Sequence, residues 1–176
     1  MQHTFTDALD IVLREEGGFG DDPQDPGGMT NLGVTARSWA AWTGRPATEV
    51  VMRGLRRVDV QPFYKAEFWD KVCCDQLPIA LALVAFDFAV NEGPGTAIRL
   101  LQGVCGASKD GTIGPATLRA LQAYITTIGL AKLITRYCDA QRNHYRELPR
   151  FIHDGQGWLN RVADVEKEAL AWLTQA

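Results

Sequence analysis

Histidine is scarce in this chain. His3, His144 and His153 lie far apart and none sits in an HExxH spacing, which removes the usual zinc-peptidase signature. The four cysteines, Cys73, Cys74, Cys105 and Cys138, form no CxxC pair. Adjacent Cys73 and Cys74 suit neither a disulfide framework nor a zinc site, so buried free thiols are expected. A Cys138, His144, His153 metal site is conceivable but has no spacing to support it. Positive charge is also short. Eighteen Lys and Arg against 21 Asp and Glu leave −3, which offers nucleic acid no electrostatic footprint and an anionic surface little attraction. No apolar run is long enough to span a bilayer. The N-terminus, MQHTFTDALD, lacks a basic region followed by an apolar core, so neither a secretory signal nor a stable membrane anchor is expected. Repeats and low-complexity linkers are missing too. At 176 residues, 46% apolar and 22% charged, the chain reads as a globular protein of one domain or two small lobes sharing a core.

What is present concentrates in EEGGFGDDPQDPGGMTNLG (15–33). Ahead of it, Phe5, Ala8, Leu9, Val12 and Leu13 form one apolar stripe at helical spacing, with Asp7, Asp10 and Arg14 opposite. Glu16 follows Leu9, Val12 and Leu13 by seven, four and three positions, so it emerges from the middle of that stripe. Glu15 follows Ile11 and sits at the edge. A partly desolvated carboxyl favours its protonated form, and the negative end of the helix dipole pushes the same way. Gly17 and Gly18 suit a left-handed cap and close approach of a ligand. A protonated carboxyl is what a glycosidase needs as general acid. On spacing alone, a charged helix end with a glycine cap accounts for EEGG equally well.

The rest of the chain reads as mostly α-helical. Thr35 caps a helix that Gly44 and Pro46 end, with Trp39 and Trp42 on one face, a core face or a sugar-stacking one. A short helix is expected over 46–53. Arg53, Arg56 and Arg57 read as a solvated basic cluster. Asp59 is expected to cap DVQPFYKAEFWDKV, with Pro62 in its first turn. Tyr64 reads as core, with the option of placing its hydroxyl in a cleft. Pro78 opens PIALALVAFDFAVNEG, apolar nearly all round and therefore the central buried helix, inside which Asp87 requires a partner. Asn91 and Glu92 end it at a glycine corner. Further helices are expected over 95–104, from Pro115 to about Tyr124, and over 129–146. Gly155 and Gly157 precede a last amphipathic helix carrying Trp158, Val162, Val165, Ala169 and Trp172. Only residues 18–35 can hold strands, as a small hairpin.

Five motifs occur in order: EGGF (16–19), DPQDPGGMTNLGVT (22–35), FYKAEFWD (63–70), FDFAVNEGPGTA (86–97) and DGTIGPAT (110–117). Together they closely resemble glycoside hydrolase family 108, the bacterial and phage N-acetylmuramidases once labelled secretion activator proteins, over essentially the whole chain. The resemblance implies a lysozyme-like helical fold, a catalytic part over 1–72 and a helical peptidoglycan-binding part over 73–176 packed as one globular unit. It implies Glu16 as the catalytic acid, bacterial peptidoglycan as partner, and cleavage of the β-1,4 bond between N-acetylmuramic acid and N-acetylglucosamine. It implies no cofactor. Such a chain would be a monomeric endolysin, held in the host cytoplasm until release and acting on the wall in the periplasm.

The second catalytic group is read from a further resemblance. In phage-type lysozymes the acid is followed by an aspartate and then a threonine, an order matched here by Asp25 and Thr30. Asp25 would be base or stabiliser, with Thr30 or Asn31 positioning a water. A short Asp on a loop beyond two glycines favours the wider carboxyl separation of about 6.5–9.5 Å, and hence inversion. Asp22 and Asp25 each directly precede a proline, a common turn start; Asp25 suits either use, and Asp22 suits turn building better. Asn91 and Glu92 are candidates for lining the sugar groove or for capping their helix. Two rival functions remain: a non-catalytic wall-binding or secretion-assisting protein on the same fold, disfavoured by the intact Glu16, and a zinc amidase, disfavoured by the missing ligand motif.

Overall fold

The computed structural model describes residues 3–16, 18–21 and 28–174. The chain divides into two units, Phe5–Glu67 and Met1–Thr4 with Phe68–Ala176.

The first unit opens with α1 (Phe5–Glu15), amphipathic as its spacing demands: Ala8, Leu9, Ile11 and Val12 are buried, Thr6 and Arg14 exposed. Strands β1 (Thr30–Asn31) and β2 (Val34–Thr35) pair antiparallel, Thr30 opposite Thr35 and Asn31 opposite Val34. Between them Leu32 and Gly33 both take positive φ, 49° and 71°, the conformation of a primed two-residue turn whose twist matches the strands. Gly20 bridges to Thr30 through two backbone hydrogen bonds of 2.8 Å. That bridge draws the chain into extended form soon after α1. Gly18 accordingly does not adopt the left-handed cap conformation expected of it, and Gly17 lies outside the described residues. Among the described residues of this stretch, positive φ falls at Gly28, Leu32 and Gly33 instead.

Thr35 caps α2 (Ala36–Thr43), its hydroxyl accepting from the Ser38 N–H at 3.1 Å, and left-handed Gly44 closes it. Trp39 and Trp42 share a face, but not a sealed core. Both present edges to Phe63, at 6.4 and 5.9 Å between ring centroids, and Trp42 stays 39% exposed. Helix α3 (Glu49–Gly54) begins at Glu49 rather than Pro46 because Thr48 supplies its cap. In α4 (Arg57–Tyr64) Arg56 holds the cap position. Asp59 is the third helical residue, its carboxylate accepting the Arg56 N–H at 2.9 Å. Pro62 therefore falls inside the helix, not in its first turn. The continuous helix expected to Val72 gives way to a π-helical turn, Lys65–Trp69, within which the chain leaves the first unit.

The second unit is built around α5 (Ile79–Glu92), in which every residue from Ala80 to Ala89 is buried. Around it stand α6 (Pro94–Cys105), α8 (Leu130–Glu147) and α9 (Phe151–Thr174), while α7 (Pro115–Ile128) packs on α6 and α8. Asp87 finds its partner in Arg161 of α9, whose Nε donates to Oδ1 at 2.9 Å. A buried amide, Gln102, ties DGTIGPAT together: its Nε2 donates to Asp110, to the Thr112 carbonyl and to the Thr117 hydroxyl, and its Oε1 accepts the Gly111 N–H. Helix α7 runs past Tyr124 to Ile128. Helix α9 begins at Phe151, not after Gly157. Gly155 is no breaker: it is buried inside the helix, and a side chain there would run into the Phe151 ring. Among the described residues no helix is long and apolar enough to cross a membrane, and all four cysteines are free thiols.

Candidate active site

Helix α1 ends one residue before Glu16, so this half-buried carboxyl leaves at the helix's C-terminal end. It lies over the hairpin turn. A methyl group built on Gly33 would stand 2.7 Å from Oε2 and 2.9 Å from Cδ of Glu16, and 2.5 Å from the Tyr64 hydroxyl. Glycine is needed twice here, for its φ of +71° and for the space a Cβ would fill. Tyr64, 1% exposed, comes from α4 and donates its hydroxyl to the Leu32 carbonyl at 2.9 Å. Leu32, a residue with a branched side chain at positive φ, is thereby held in a conformation such residues seldom take. Three segments distant in sequence thus bring a carboxyl, a hydroxyl and a bare backbone to one point. A carboxyl so placed can give or take a proton, and the neighbouring hydroxyl can do either.

The other candidates of the first unit shape this loop. Asn31 is buried, and its Nδ2 donates to the Met52 carbonyl at 2.8 Å, tying β1 to α3. Thr30 exchanges both backbone bonds with Gly20, and its hydroxyl reaches the Gly28 carbonyl at 3.4 Å. Asp22 and Asp25 lie outside the described residues. A contact with no local sequence pattern also appears: the Arg53 guanidinium covers the Phe19 ring at 3.9 Å and pairs with Glu49 at 2.7 Å. This fixes the Phe of EGGF against α3. Arg57 pairs with Asp10, and Arg56 with Asp59, so the basic cluster is three separate pairs rather than one patch.

Asn91 and Glu92 belong to the second unit, at the C-terminal end of α5. The Asn91 amide donates to the Asp87 carbonyl at 2.9 Å, one turn back. Glu92 Oε2 lies 2.8 Å from Nε2 of His144 on α8, a partner the sequence did not single out. Among the described residues no group of three or more His, Cys, Asp or Glu side chains is arranged to hold a metal.

Comparison with known proteins gives these features a family. Residues 9–93 match the family described as Glycosyl hydrolase 108, and residues 96–163 match one described as Predicted Peptidoglycan domain. Among solved structures the chain is similar to SagA of Brucella abortus, at 36% identity over 96% of this chain and 94% of that one, with a TM-score of 0.83. A comparison with curated proteins returns no match. Glu16, Gly33, Tyr64, Asn91 and Glu92 all fall inside the first match, and Gln102 with the DGTIGPAT loop inside the second. The mostly helical fold, with a small two-stranded antiparallel sheet among the described residues, is lysozyme-like. The chain belongs to glycosyl hydrolase family 108 and is a glycoside hydrolase acting on peptidoglycan, its lysozyme-like part followed by a peptidoglycan-binding part.

Proposed function

We propose that the chain is an N-acetylmuramidase, cleaving the β-1,4 bond between N-acetylmuramic acid and N-acetylglucosamine with Glu16 as general acid. The observation that supports this most is the convergence of the Glu16 carboxyl and the Tyr64 hydroxyl where Gly33 has no side chain. Glu16 would protonate the glycosidic oxygen as the bond to the leaving sugar lengthens. Tyr64 holds the turn through the Leu32 carbonyl and keeps its hydroxyl beside the acid. Asp25 is the second carboxyl in this reading. It would activate a water on the opposite face of the sugar, with Thr30 positioning that water and Asn31 fixing the strand. Residues 1–72 carry the chemistry and 73–176 hold the wall, with Asn91 and Glu92 contacting glycan.

The test is Glu16→Gln, which keeps size and hydrogen bonding but has no proton to give. Hydrolysis of purified peptidoglycan is expected to slow by about two to four orders of magnitude, the range general acid catalysis supplies. The melting temperature should stay near that of the wild type. A variant that digests the wall at close to wild-type rate would refute the assignment.

A further inference from the structure

The second unit holds a cavity of about 570 Å³, within the range of roughly 300–1,000 Å³ typical of small-molecule sites. Asn91 and Glu92 line it from the end of α5, Arg150 from the turn before α9, and His153, Asp154 and Trp158 from the start of α9. Nothing in the chemistry of Glu16 uses these last four residues.

The lining indicates the kind of ligand. Two carboxylates, one guanidinium, one amide and one imidazole surround a single aromatic wall. An anion would meet Glu92 and Asp154 against Arg150 alone. An extended peptide is usually taken by an open strand edge, and the lining here comes from the ends of two helices. A pyranose fits better. The hydroxyls and acetamido group of an N-acetylhexosamine both give and accept hydrogen bonds, which suits carboxylates beside a guanidinium and an amide. Its C–H face suits an indole. Trp158 is built as such a plate: half-exposed, and stacked on Tyr145 at 5.1 Å with 26° between planes. Two polar groups at the end of α5 are pre-oriented, Glu92 by His144 at 2.8 Å and Asn91 by the Asp87 carbonyl at 2.9 Å. At the rim, Arg150 and Asp154 pair at 2.9 Å while 80% and 37% exposed, a surface pair that a ligand can open at little cost.

We propose that this cavity is a saccharide subsite that takes an N-acetylhexosamine unit of the glycan strand. The inference rests on the reading of the chain as an enzyme that cleaves such strands, and it adds a holding point within the second unit.

The test is a titration of the ¹⁵N-labelled full chain carrying Glu16→Gln, followed by nuclear magnetic resonance. One arm adds a β-1,4-linked N-acetylglucosamine tetramer, the other a peptidoglycan stem peptide freed of sugar. The Trp158 indole signal is assigned by its loss in Trp158→Phe. The tetramer should shift that signal saturably, and Arg150→Ala with Asp154→Ala should weaken its binding by about tenfold or more, as expected for losing charge-assisted contacts. A tetramer that shifts Gly33 and its neighbours but leaves the Trp158 indole unmoved would overturn the subsite and leave the muramidase reading intact. A stem peptide that shifts the indole when the tetramer does not would overturn it in favour of a peptide site. Consumption of the tetramer by Glu16→Gln would count against Glu16 as the acid, while the indole shift would still judge the cavity.

Discussion

The Glu16 carboxyl and the Tyr64 hydroxyl meet over a residue with no side chain, standing 2.7 and 2.5 Å from the point where a Cβ of Gly33 would sit. One backbone position therefore controls both groups. Gly33→Ala would place a methyl group against each of them and would force an alanine to a φ of +71°. The left-handed conformation alone costs about 1–2 kcal/mol, or a few degrees of melting temperature in a chain of this size. The displaced carboxyl should cost more: turnover on peptidoglycan is expected to fall on the order of a hundredfold, as for a catalytic group moved by about 1 Å. Thermal melting beside a turbidity assay separates the two effects. Full activity in Gly33→Ala would mean that Glu16 does not need its place over the turn.

The parts of this arrangement that could be read from sequence are the local ones. The exit of Glu16 at the C-terminal end of α1 follows from the local pattern, as do the Thr35 cap, the Gly44 stop and Pro115 at the first position of α7. The turn was not readable as a type, because a leucine at its first position argues against the positive φ that Leu32 adopts. Tyr64 looked like core and is core at 1% exposure, and only the fold shows that its hydroxyl ends beside a carboxyl. Asp59 and Gly155 depart from their expected roles for a shared reason: an acidic residue early in a helix and a glycine within one each have two structural uses, and long-range packing selects between them. The Gln102 hub joins residues through a side chain that no periodicity marks.

The Asp87–Arg161 pair locks α5 to α9. The two side chains are 4% and 11% exposed, so removing one leaves the other charged and shielded from water. Asp87→Ala should destabilise the protein by about 3–5 kcal/mol, while Asp87→Leu combined with Arg161→Met should recover most of that loss. Urea unfolding of the three proteins checks this. A single variant as stable as the wild type would show that the pair contributes no such constraint.

Asp110 gives the second unit a dependence on acid. Hydrogen bonds from the Gln102 side chain and then the Thr112 N–H hold its carboxyl below the usual carboxylate range. A carboxyl with a lowered folded-state pKa contributes stability above its unfolded value of about 3.9 and loses it as pH falls through the folded value. The difference in urea midpoint between wild type and Asp110→Asn should therefore shrink as pH drops from 7 to about 3. A difference that stays constant over that interval would show that the charge on Asp110 is not what the loop uses.

The most direct measurement is of the chemistry of the cut ends. Purified peptidoglycan is digested with the wild-type chain, the new reducing ends are reduced with borohydride, and the products are identified by mass spectrometry. The account predicts that every new reducing end is N-acetylmuramic acid, with no stem peptide set free. Reducing ends of N-acetylglucosamine, or released peptides with the glycan intact, would contradict it.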